Sequence, residues 1–154
     1  MAERPRCYVA SPLGFTEAGR HYYAEVYLPA LAEVVEVVDP WSLTQPWEVE
    51  QAIAAGRERD IALEIGRRNT EAIRSCTLVA ANLDGQEADA GTVAEIGYAA
   101  ALGLTCFGLR TDLRQSGEMG VAVNLQVEAF ILESGGRIVG SLEELVRALA
   151  ATGA

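Results

Sequence analysis

Short apolar runs alternate along this chain with longer stretches of helical periodicity, and that alternation restricts it to parallel α/β architecture. Residues 7–11, 34–39, 78–83, 105–109 and 137–140 read as five strands, several of them closed by proline or by an Asp-Gly pair. Between them lie a helix over 16–35 capped by Thr16, a polar helical region over 47–74, a helix over 92–102, one over 121–132, and a last one from Ser141 to about Leu149. Pro29 falls inside the first helix and predicts a bend or a break there, while Gly56 and Gly66 predict breaks in the second. Gly103 follows the third in the position favoured just past a helix C-terminus. The 154 residues suffice for one core and form a single domain, an open, doubly wound five-stranded parallel sheet flanked by helices.

Such a sheet binds ligands outside the carboxyl ends of its strands, where the strand order reverses. The segments to search are therefore residues 11–15, 40–47, 84–92 and 110–124. The third of these is densest in functional groups: Asp84 and Asp89 lie in it, with Gly91 beside them and Glu95 just beyond. Converging carboxylates at the edge of a central strand repel one another and raise at least one pKa, which suits acid/base or nucleophilic work. Thr92-x-x-Glu95 also has the form of a capping box, as has Ser141-x-x-Glu144, so spacing alone leaves Glu95 between a helix cap and a reactive carboxylate.

Charge and composition remove other chemistries. The formal net charge is −10 and all twelve basic residues are arginine, so Schiff-base chemistry, a P-loop lysine and a lysine base are excluded. The acidic balance argues against binding nucleic-acid polymers. The single histidine, His21, is read as a surface or half-buried residue and leaves no multi-histidine metal centre. Cys7, Cys76 and Cys106 are odd in number and widely spaced, as expected of free buried thiols in a reducing cytoplasm. No apolar stretch approaches the roughly 20 residues needed to cross a bilayer, and no secretory leader is legible at the N-terminus.

The run from Asp89 through Gly91, Thr92, Glu95 and Gly97 to Ala99 resembles the nucleoside 2-deoxyribosyltransferase signature, Asp-x-Gly-Thr-x-x-Glu-x-Gly-x-Ala. The similarity extends to Arg68-Asn69, to Tyr8-Val9-Ala10-Ser11-Pro12 at the start, and to Val123-Asn124-Leu125. It implies a flavodoxin-like sheet and retaining transfer of 2-deoxyribose between nucleobases, without metal or organic cofactor. Glu95 falls on the nucleophile position, forming a covalent deoxyribosyl ester. Placed in the first turn of its helix, Glu95 is expected to be kept ionised by backbone N–H groups and the helix dipole.

Asp89 falls on an aspartate at the sugar, and a carboxylate there disfavours a 5′-phosphate, pointing to a free 2′-deoxynucleoside and a free nucleobase as substrates. Tyr8 matches a tyrosine that orients the nucleophile. Asn69 stands where many members have an aspartate thought to protonate the departing base; an amide can hydrogen-bond a ring nitrogen but supplies no proton in the same way. Asn124 matches an asparagine that enters the site of a neighbouring subunit, which implies a homo-oligomer built on dimers, whether dimer, tetramer or hexamer. Phe15, Trp41 and Trp47, in two other edge loops, are candidates to sandwich a planar base. An N-glycoside hydrolase acting on 2′-deoxynucleosides or their 5′-monophosphates, and a non-catalytic nucleotide-sensing domain, remain alternatives.

Overall fold

The computed structural model describes residues 4–153. Five parallel strands form one sheet: β1 (Arg6–Ala10), β2 (Glu36–Val38), β3 (Leu78–Asn82), β4 (Thr105–Leu109) and β5 (Ile138–Val139), in the order β2-β1-β3-β4-β5. This is the flavodoxin-like order, with its reversal between β1 and β3. The register there sets Tyr8 beside Val79 and Ala10 beside Ala81.

The period-two pleat sorts side chains into two apolar layers. Tyr8, Ala10, Val79, Ala81 and Cys106 face one side, packed under α4 (Glu58–Arg74), α5 (Ala90–Ala101) and α6 (Leu125–Glu133). Cys7, Val9, Leu78, Ala80, Phe107 and Leu109 face the other, under the β1–β2 crossover and α7 (Leu142–Ala150). All three cysteines are buried and free. Burial pushes the Cys106 thiol up to about 11, so it behaves as a small apolar group. No helix among the described residues is long and apolar enough to cross a membrane.

Several expectations need local correction. The first crossover begins at Thr16, whose side chain accepts from the Gly19 N–H as expected of a cap, but it is not one helix to residue 35. It runs as α1 (Glu17–Tyr22), a π-helical turn (Tyr23–Tyr27) and α2 (Leu28–Ala32). Pro29 cannot donate to the preceding turn, and the wider π turn stands just before it, with Pro29 in the first turn of α2, where a missing N–H is tolerated. In the polar region only one glycine breaks the helix. Gly56, with φ of 65°, separates α3 (Pro46–Ala54) from α4, whereas Gly66 stays inside α4. Helix α6 starts at Leu125, four residues later than expected, because Asn124 caps it by accepting from the Gln126 N–H.

Candidate active site

Helix α5 begins at Ala90, two residues before the predicted start, because Asp89 and not Thr92 is its cap. The Asp89 Oδ2 accepts from the Thr92 N–H at 2.9 Å and from the Thr92 hydroxyl at 3.2 Å. Aspartate caps at least as well as threonine, and here it stands three residues ahead of the amide it satisfies. Glu95 is therefore one turn further into the helix than a capping box requires, and its carboxylate is released from capping. It accepts instead from the Tyr8 hydroxyl of β1, at 2.7 Å.

That displacement reverses an electrostatic expectation. Glu95 is not held down by first-turn amides; its pKa is raised, by burial first and by the charge of Asp89, with the Tyr8 hydrogen bond opposing the rise. The Tyr8 pKa is itself raised, by burial and then by Glu95, so its hydroxyl remains a donor across the working pH range. Tyr8 is 0% exposed and is reached from β1 only because the pleat turns alternate residues toward α5.

Glu95 opens into a cleft of about 350 Å³ lined by Ser11, Phe15, Pro40, Trp41, Ile65, Asn69, Asp89, Gly91, Thr92 and Glu95. The volume lies in the range of small-ligand sites, about 300–1,000 Å³. The cleft sits at the carboxyl edge of β1 and β3, where the strand order reverses. Its two halves differ chemically. Asp89 at the cap of α5 and Glu95 on its flank bring the two carboxylates; the other half is apolar, built from Phe15, Pro40, Trp41 and Ile65, with Asn69 as the polar side chain on α4. The Phe15 and Trp41 rings meet edge to face at 4.8 Å, and the indole N–H donates to the Ser11 carbonyl at 3.2 Å.

Gly14 is what lets the indole lie there. A Cβ at this position would fall 2.3 Å from the Trp41 ring. Gly14→Ala is expected to displace Trp41 and to raise KM for the cleft's substrate about tenfold with a smaller change in kcat, since a misplaced binding wall costs affinity before chemistry. A shift in tryptophan emission would report the displacement; unchanged emission and KM would refute it.

The structure thus brings Glu95, Asp89, Tyr8, Asn69, Gly91, Phe15 and Trp41 together and leaves three other sequence-derived candidates outside. Asp84 faces the β4 loop, accepting from the Thr111 N–H and hydroxyl, both at 2.6 Å, and from the Asp112 N–H at 2.9 Å. Arg110 reaches back to the carbonyls of Leu83 and Gly85, so the pair ties the ends of β3 and β4 together. Trp47 is 57% exposed and lines a charged groove between α3 and α4. Asn124 is exposed; besides capping α6 it donates to Glu118 at 3.2 Å, in a separate cleft shared with Ser116. Ser11, Pro40 and Thr92 line the cleft from within the searched segments without having been singled out for the site, and Ile65 lies outside those segments. Of these, Ile65 had a signal, since it lies four residues before Asn69 on one helix face.

The flavodoxin-like sheet thus carries, at its reversal point, a cleft that combines apolar side chains with two carboxylates. The family model for nucleoside 2-deoxyribosyltransferase matches residues 7–138, and the chain belongs to that family, an enzyme of the pentosyltransferase class. Among solved structures it is similar to a conserved protein from Enterococcus faecalis V583, at 26% identity and a TM-score of 0.70, covering 97% of this chain and 99% of that one. It is also similar in fold to a 2-deoxyribosyltransferase from Leishmania mexicana (24% identity, TM-score 0.67, 97% of each chain). A third likeness is to a 2-deoxyribosyltransferase from Bacillus psychrosaccharolyticus (21% identity, TM-score 0.69, 96% of this chain and 95% of that one). No curated protein matches the sequence.

Proposed function

We propose that this enzyme transfers 2-deoxyribose between nucleobases on free 2′-deoxynucleosides, by double displacement through an ester on Glu95. The observation that carries this reading is the half-buried Glu95 carboxylate, held by Tyr8 in a cleft whose remaining lining is largely aromatic and aliphatic. The base lies against Phe15, Trp41 and Ile65, and the sugar lies over α5 beside Asp89. A Glu95 oxygen attacks C1′ as the base departs; a second base then reverses the step and takes the sugar with net retention. Tyr8 steadies the attacking carboxylate.

Charge supports a substrate without a phosphate. The cleft is lined by two carboxylates and by no arginine. Each pair of like charges at 4 Å would cost on the order of 4 kcal/mol at an effective dielectric of about 20. Asn124 lies outside the cleft of its own chain, which agrees with a part in the site of a second copy.

Incubation with deoxyinosine and adenine tests the reaction. New deoxyadenosine at a rate comparable to hypoxanthine release is the expected result. Hypoxanthine with no new nucleoside would make the enzyme a hydrolase, and absence of any reaction would leave a binding domain.

A further inference from the structure

The apolar half of the cleft holds one free amide and no acid. The ten residues lining the whole cleft include only two with an ionisable side chain, Asp89 at the cap of α5 and Glu95 on its flank. Glu95 is committed to attack, and Asp89 spends Oδ2 on the helix cap. On α4, Asn69 makes no side-chain hydrogen bond among the described residues, and its Oδ1 is a buried acceptor without a partner. A ligand N–H or O–H donated to Oδ1 would satisfy that acceptor, and the Nδ2 hydrogens of the same amide are free to donate to a ring nitrogen.

We infer that the nucleobase leaves without receiving a proton from the side chains that line this cleft, so that this enzyme takes as donors 2′-deoxynucleosides whose bases are stable as anions. This rests on the transfer reaction proposed above and deepens it to a class of leaving group. The C1′–Oε bond to Glu95 forms as the C1′–N bond breaks, and the electron pair of the broken bond stays on the base nitrogen. The Asn69 amide donates a hydrogen bond to a ring nitrogen, which strengthens as negative charge builds there, but its proton stays on the amide. The released anion is protonated by water. In the second half-reaction the acceptor base attacks C1′ as its anion and Glu95 leaves as carboxylate, so the selectivity applies in both directions.

The test is a leaving-group series. Purine 2′-deoxynucleosides with 6-amino, 6-oxo and 6-chloro substituents are compared by kcat/KM for the donor, which in a double displacement reports only the first half-reaction. In the wild type, kcat/KM is expected to climb steeply with the N–H acidity of the base, approaching tenfold per unit. Asn69→Asp, which installs an acid at the same position, should flatten that dependence and raise kcat/KM for the poorest leaving group by about 10²-fold, the low end of general-acid contributions. Asn69→Ala should keep the steep dependence at lower rates throughout. A shallow wild-type dependence, whatever the variants do, would overturn the inference while leaving transfer intact. Absence of turnover with every donor would instead overturn the transfer reading and this inference with it.

Discussion

Glu95→Ala is expected to lower deoxyribosyl transfer by about 10⁴-fold or more, the scale on which removal of a nucleophile acts. The same variant should take up no sugar when mixed with a slow 2-fluoroarabinosyl nucleoside, whereas intact mass should show one adduct on the wild type. A wild type that turns over but never carries the adduct would count against the covalent step. Glu95→Gln, equally inactive, should be the more stable protein at neutral pH. Burial raises the Glu95 pKa above its unfolded value, so the folded state loses stability as pH rises from the ordinary carboxylate range through the folded value, and carries that penalty at pH 7. Relieving it is expected to add on the order of 1 kcal/mol, or about 3 °C in Tm for a domain of this size, with the advantage vanishing in acid where both forms are neutral. Thermal melts at pH 7 and pH 4 check the sign; equal gains at both would show that ionisation of Glu95 is not the cause.

Tyr8→Phe has the second largest expected effect. It removes a 2.7 Å charge-assisted hydrogen bond from the attacking carboxylate, worth roughly 1.5–3 kcal/mol, which corresponds to about 10–100-fold in rate. The hydrogen bond favours the ionised form of Glu95, so its loss lets burial raise that pKa further. Transfer needs the ionised form, and the acid limb of the kcat/KM profile should therefore move to higher pH in the variant. A fall in rate with the acid limb unmoved would mean that Tyr8 serves packing alone.

Much of this was legible in the residues, and the misses have physical reasons. Strands show through because their apolar runs end at residues that cannot continue a ladder: Pro12, Pro40 and Asp84-Gly85 stand just beyond three of them. Helix starts were harder. Where two capping residues lie three apart, as Asp89 and Thr92 do, spacing permits either, and only the aspartate's hydrogen bonds decide. That choice moves Glu95 from the end of the helix to its flank, which changes its electrostatics from helix-stabilised to desolvated. The π-helical turn at Tyr23–Tyr27 left no trace beyond Pro29. Gly56 and Gly66 look alike in sequence, yet only Gly56 takes a positive φ. Asp84 is a carboxylate at the right strand end whose role is consumed by the β4 loop, because three hydrogens there compete for it. The Phe15–Trp41 contact joins loops distant in the chain, and so no local pattern could announce it.

The placing of Tyr8 ties the chemistry to the alignment of the sheet. Neighbouring residues of β1 look in opposite directions, Tyr8 toward α5 and Val9 into the layer that holds Tyr23 and Tyr27. A chain that paired β1 one step out of phase could still close its hydrogen-bonded ladder, but it would send the phenol to the wrong layer and offer Glu95 a hydrocarbon instead. Turnover is thus an honest witness to correct strand alignment. A misthreaded molecule could keep much of its helix and strand content and yet be silent, which makes catalysis a sharper gauge of native folding here than any measure of average secondary structure.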